Sequence, residues 1–123
     1  MKKHPYIWVV DDDTGILEAM KIMLELSGYI VETLSRSSMI KDKLKHGIPA
    51  LILLDVFLSG EDGRKIAKNL KADQQTKNVP VILVSASSKA AKNYRDYGAD
   101  GFLAKPFDID EVLAVVERYL NFA

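Results

Sequence analysis

Short, uninterrupted apolar runs alternate along this chain with longer stretches whose apolar residues recur every three or four positions, and the alternation repeats five times. YIWVV (6–10), ALILLD (50–55) and VPVILVSA (79–86) have almost no polar face. Such runs suit strands covered on both sides, as in a parallel sheet between helical layers. YIVETL (29–34) and DGFLAK (100–105) read as two shorter strands, and Pro80 stands near a strand start, where a missing N–H is tolerated.

Between the strands, TGILEAMKIMLELSG (14–28) sets Leu17, Met20, Met23 and Leu24 on one helical face, with Gly28 as its stop. SSMIKDKLKHG (37–47) predicts a short helix with Met39, Ile40 and Leu44 inward, and GRKIAKNLKAD (63–73) one carrying Ile66, Ala67 and Leu70. SKAAKNYRDYG (88–98) predicts a polar helix. FDIDEVLAVVERYLN (107–121) predicts the last, with Asp108 and Glu111 as a capping box and Val112, Leu113, Val116 and Leu120 as the stripe. The fold class is therefore α/β: a parallel sheet with right-handed crossovers and helices on both faces.

With 123 residues, the chain is expected to form a single domain over residues 1–123. Lys plus Arg and Asp plus Glu both count 17, so no basic excess points to nucleic acid and no acidic tail is present. The absence of cysteine excludes disulfides, thiol catalysis and thiolate metal sites. The apolar run after Lys2 and Lys3 is too short for a signal peptide, and no stretch reaches the ~18 apolar residues of a membrane span. A soluble, cytoplasmic protein without membrane contact is expected.

In sheets of this kind ligands sit beyond the carboxyl ends of the strands. Those ends carry Asp11, Asp12 and Asp13, then Asp55, Ser85 and Lys105. Clustered carboxylates repel one another, and a hard cation such as Mg²⁺ relieves that repulsion. A lysine and a hydroxyl beside them suit phosphate oxygens, which makes a phosphoryl site. One carboxylate is then a spectator, a ligand or a nucleophile; an aspartate nucleophile would form an aspartyl phosphate.

VVDDD (9–13), LLDVFLSGEDG (53–63), VSAS (84–87) and GADGFLAKPF (98–107), in this order and with 30 positions from Asp55 to Ser85, resemble the receiver domain of two-component response regulators, chemotaxis-regulator-like. The resemblance implies a flavodoxin-like (βα)5 doubly wound sandwich with a five-stranded parallel sheet of order 2-1-3-4-5. It implies that Asp55 accepts a phosphoryl group. Asp12 would bind Mg²⁺ directly, Asp11 beside it through water, with Asp55 and the backbone carbonyl of Phe57 as further ligands. Ser85 and Lys105 would contact the phosphoryl oxygens, and the bond from Lys105 to Pro106 would be cis. Phe102 would be the aromatic switch that turns inward when Ser85 moves. The helix 4–strand 5–helix 5 face would be the output surface.

The implied partners are a sensor histidine kinase or phosphotransfer protein, and a downstream effector or C-terminal output domain. A phosphorylation-dependent homodimer would fit, and no nucleic acid would bind this domain. The chain would be a phosphoacceptor signalling module, not a turnover enzyme, either stand-alone or part of a larger regulator.

Several positions depart from the family pattern. Ser59 stands where proline is common, so a changed loop conformation without loss of chemistry is expected. By the resemblance, Phe57 and Ser87 would flank the path of an attacking water and so bear on the lifetime of the phosphorylated state. The segment from Ser85 to Gly98 is about two residues short, on the output surface.

Asp13 reads as a helix cap, Trp8 as core, and Gly60 and Gly63 as turn residues. His4 and His46 lack a neighbouring histidine and carry no metal expectation. Two other functions compete. A dehalogenase-like phosphatase would carry a second aspartate where Phe57 stands. A receiver-like scaffold would bind partners without phosphorylation, which the full Asp11, Asp12, Asp55, Ser85 and Lys105 set disfavours.

Overall fold

The computed structural model describes residues 6–120. His4 and Asn121, the latter placed by the sequence at the end of the last helix, lie outside the described residues. Five strands, β1 (Tyr6–Val10), β2 (Ile30–Leu34), β3 (Leu51–Asp55), β6 (Val81–Ser85) and β7 (Gly101–Ala104), form a parallel sheet of order β2-β1-β3-β6-β7. A separate two-residue pair, β4 (Phe57–Leu58) and β5 (Glu61–Asp62), makes a small antiparallel hairpin. With that hairpin set aside, the order is the expected 2-1-3-4-5.

The side-chain alternation of a strand explains the two cores. Trp8 and Val10 of β1, Ile52 and Leu54 of β3, and Val81 and Leu83 of β6 share one face. Helices α2 (Met39–Leu44), α3 (Gly63–Ala72) and α4 (Ser88–Asn93) cover it with Ile40, Ile66, Ala67, Leu70 and Ala90. Ile7, Val9, Leu51, Leu53, Ile82 and Val84 form the other face, under Leu17, Met20 and Leu24 of α1 (Thr14–Leu26) and Val112 and Val116 of α5 (Ile109–Leu120). Each fully buried aliphatic side chain contributes roughly 1.5–3 kcal/mol, so truncating Leu53, buried in β3, would cost about 2–5 kcal/mol.

The helix ends follow their caps. Asp13 Oδ1 accepts the Gly15 and Ile16 N–H groups and starts α1, while Gly28 adopts φ +97° just beyond its end. Asp108 and Glu111 form the expected capping box, with N–H to carboxylate distances of 2.9 and 3.3 Å. Trp8 is fully buried, as expected of a core residue.

One predicted helix divides. The stretch read as continuous over 88–98 is a six-residue α4 capped by the Ser87 hydroxyl, followed by a 3-10 turn at Tyr94–Tyr97. Asn93 leaves the helical region at φ −113°, ψ +10°, and Gly98 closes the turn at φ +80°. With Ala90 the one buried residue of α4 and none buried in the turn, too little apolar surface is covered to hold a longer regular helix.

Candidate functional site

β1, β3, β6 and β7 deliver Asp11, Asp55, Ser85 and Lys105 to the carboxyl end of the sheet. Asp11, Asp55 and Ser85 are among the few polar residues buried in the described chain, at 3%, 5% and 1% exposure. A buried polar group needs partners, so their bonds decide what the site can do.

Asp11 uses one oxygen, Oδ1, to accept the Asp13 N–H at 2.9 Å. Its Oδ2 faces Lys105 Nζ at 3.2 Å, and the same ammonium lies 3.4 Å from Asp55 Oδ1. One cation thus bridges two buried carboxylates. The Phe57 backbone N–H also favours the charged form of Asp55, as the smallest of the effects on it. Burial, and next the charge of Asp11, push the Asp55 carboxyl above its ordinary value, and Lys105 offsets this only in part. Burial works to lower the Lys105 pKa, but the charges of Asp55 and Asp11 and its bonds to both outweigh that and leave it raised.

Asp12 is exposed, unlike its neighbour. Its Oδ2 accepts a 2.5 Å hydrogen bond from the Ser59 hydroxyl, across the gap between the β1 end and the hairpin. Asp11, Asp12 and Asp55 each offer a carboxylate oxygen, and these lie within 4.8 Å of one another. Three acidic oxygen donors with a single shared ammonium leave excess negative charge, and all-oxygen donor sets suit Mg²⁺. The residues therefore fit the expected cation.

Two glycines shape the approach. Gly60 takes φ +73° at the hairpin turn. Gly63 was expected to serve the turn, but its φ is not positive. A Cβ there would lie 2.1 Å from the Asp55 carbonyl oxygen, so the absence of a side chain lets α3 begin directly against the strand that carries Asp55. The Gly63 N–H donates to the Val56 carbonyl at 2.6 Å.

Ser85 Oγ accepts the Ser87 N–H at 3.0 Å, which still leaves its O–H able to donate. The Lys105–Pro106 bond is cis. Phe102 is half-buried and stacks on Tyr94, with centroids 5.9 Å apart. Phe57 points outward at 62% exposure. His46 is exposed just beyond the end of α2 and is not part of the acidic cluster.

Two features were not foreseen. One is the contact from Ser59 to Asp12; the sequence marked Ser59 only as a departure in the loop. The other is the junction at Arg64. Its guanidinium pairs with Asp62 at 2.9 Å, lies over the Tyr97 ring at 5.2 Å, and comes within 3.2 Å of the Asn93 side-chain amide, whose oxygen accepts from it once the amide is turned over. Asp62 also caps α3 through the Arg64 N–H, and an aspartate just before a helix was the available signal for that half.

The family model of the response regulator receiver domain matches residues 7–117. The chain is 33% identical over 115 residues to response regulator Rre1 of Synechocystis, covering 91% of this chain and 50% of that protein. It spans about a quarter to about half the length of the curated relatives it matches. Among solved structures, it is similar to chemotaxis protein CheY4 of Vibrio cholerae, with TM-score 0.88 and 25% identity over 96% of this chain and 100% of that one. The fold also matches the receiver domain of sensor histidine kinase PA1611 from Pseudomonas aeruginosa, with TM-score 0.85 and 23% identity, over 97% and 99% of the two chains. That protein was solved with a magnesium ion coordinated in its active site cleft.

Proposed function

This chain belongs to the response regulator receiver domain family of two-component signalling proteins, and from that premise we propose that Asp55 accepts a phosphoryl group in a Mg²⁺-dependent transfer. The observation that carries this reading is the buried Asp55 carboxylate, sharing one ammonium with Asp11 and facing a further acidic donor from Asp12.

Asp11, Asp12, Asp55 and the Phe57 carbonyl would hold the cation. When bound, Mg²⁺ neutralises charge between the carboxylates and incoming phosphoryl oxygens. The chain's own groups do the rest. Asp55 is held at Oδ1 by Lys105 and its carboxylate is presented as the nucleophile toward the phosphorus of a donor. The new O–P bond forms as the donor's bond to phosphorus breaks, and the leaving group departs with that electron pair. Lys105 exchanges its carboxylate contact for a phosphoryl oxygen, and Ser85 donates its O–H to another. Drawing Ser85 inward opens room toward Phe102, whose ring must then leave its stack on Tyr94.

The donor would be a sensor histidine kinase or phosphotransfer protein. The readout would be a downstream effector, an attached output domain or a phosphorylation-dependent homodimer, acting through the α4–β7–α5 face. Residues 1–123 serve as one receiver domain in this reading. Among the described residues, no helix is long and apolar enough to cross a membrane.

Intact mass after incubation with acetyl phosphate tests it. The expected result is a gain of one phosphoryl group that needs Mg²⁺ and disappears in Asp55→Asn. If neither acetyl phosphate nor beryllofluoride with Mg²⁺ modifies or binds the wild type, the chain is a phosphorylation-independent interaction module instead.

A further inference from the structure

Of the three carboxylates in the acidic cluster, Asp12 alone is exposed. An exposed aspartate at the end of a strand rotates freely about its side-chain bonds, and a freely rotating ligand loses entropy when it is captured by a cation. Here it is not free. Ser59 Oγ donates to Asp12 Oδ2 at 2.5 Å, over a sequence separation of 47 residues. Taking one oxygen leaves the other as the donor.

The restraint is only as firm as the element that carries Ser59, and that element is tied on several sides. Ser59 sits at the tip of the β4–β5 hairpin, where Phe57 pairs with Asp62 and Leu58 with Glu61. Leu58 is anchored in the core at 5% exposure. Glu61 accepts the Ser37 hydroxyl at 2.6 Å, which joins the hairpin to the loop before α2. Asp62 is gripped by Arg64 at the start of α3. The hairpin is thus a braced arm, and its serine reaches back to a ligand on β1.

We propose that Ser59 is a positioning residue of the cation site, holding the Asp12 carboxylate by one oxygen so that the other is presented to Mg²⁺. The inference rests on the proposed Mg²⁺-dependent acceptor site and adds a group that does not itself touch the cation. Hydrogen-bonded partners of metal-binding carboxylates tune affinity by orienting them, with typical effects of 10- to 100-fold. An exposed pair belongs at the low end of that span.

The test is Mg²⁺ binding by isothermal titration calorimetry on the wild type, Ser59→Ala and Ser59→Thr, with melting curves in chelator alongside. The expected result is a Kd weakened about tenfold in Ser59→Ala and largely restored in Ser59→Thr, which keeps the hydroxyl. The melting temperatures in chelator should agree within about 1 °C, because the exposed bond adds little to the fold. An unchanged Kd in Ser59→Ala overturns the proposal. A tighter Kd also overturns it, because the hydroxyl then competes with the cation for Asp12. A weaker Kd that tracks a lost melting temperature and is not rescued by threonine assigns Ser59 to the hairpin's fold, again overturning the proposal. A wild type that binds no Mg²⁺ sinks the acceptor-site reading itself, and that result is distinguishable from the others.

Discussion

Asp55 and Asp62 stand seven positions apart, one just before the β4–β5 hairpin and one at its end, in opposite electrostatic conditions. Asp55 is buried beside Asp11 and has half of one ammonium, so its charged form is disfavoured. Asp62 is held by the Arg64 guanidinium and by the Arg64 N–H, and its pKa is lowered, first by the side-chain bond and then against a burial penalty. The first carboxylate is left short of positive charge at the place where a cation and a phosphoryl group would arrive. The second is fully matched at the place where a loop must hold still. Functional sites commonly retain such unrelieved strain, while the supporting structure around them is locally consistent.

The largest effect should come from the backbone that joins the two. Gly63→Ala puts a methyl group against the Asp55 carbonyl, and α3 must shift to admit it. The expected loss is about 2–4 kcal/mol, with Mg²⁺ binding weakened as well, measured by urea unfolding and titration calorimetry. A variant as stable as the wild type would show that the α3 start is free to move.

Next is the Asp62 side of the comparison. Arg64→Ala removes the pair and the contact with the Tyr97 ring, at a cost of about 1 kcal/mol for a partly exposed junction. Because the folded Asp62 pKa lies below its ordinary 3.8, its stabilising contribution is present above that value and is lost as pH falls through the folded pKa. Arg64→Ala should therefore flatten the acid limb of stability against pH. Melting curves from pH 2 to 6 would read this directly.

The Asp55 side should show the reverse sign. Its folded pKa is raised, so in chelator the fold weakens as pH climbs from the ordinary 3.8 through the folded value, where the carboxylate charges without adequate compensation. Asp55→Asn should remove that slope and raise the melting temperature at neutral pH, by on the order of 1 kcal/mol or ~4 °C in a domain of this size, while abolishing phosphorylation. A destabilised Asp55→Asn would mean that the bond to Lys105 outweighs the burial of the charge.

How much of this was legible beforehand depends on the range of the interaction. The strands and the long helices fell within a residue or two of their observed bounds. A strand covered on both faces writes itself as a continuous apolar run, and a helix covered on one face writes itself at a spacing of three and four. The position of Asp11, Asp55, Ser85 and Lys105 at the strand ends followed from the same runs. The division of the predicted 88–98 helix was not legible, because polar composition is shared by a helix and a 3-10 turn. Nor was the β4–β5 hairpin, whose two-residue strands carry too few positions to show a period.

The sequence by itself determined the layered fold, the sorting of each strand's residues between two cores, and which chemical groups reach the carboxyl end of the sheet. These depend on local periodicity and on burial, which every residue records in its own identity. Only the tertiary structure decided that one lysine serves two carboxylates, that Gly63 exists to let a helix touch the Asp55 carbonyl, and that Ser59 reaches Asp12. Those are meetings outside any one strand or helix. Strand register and loop geometry set them, and neither leaves a periodic trace in the amino acids that meet.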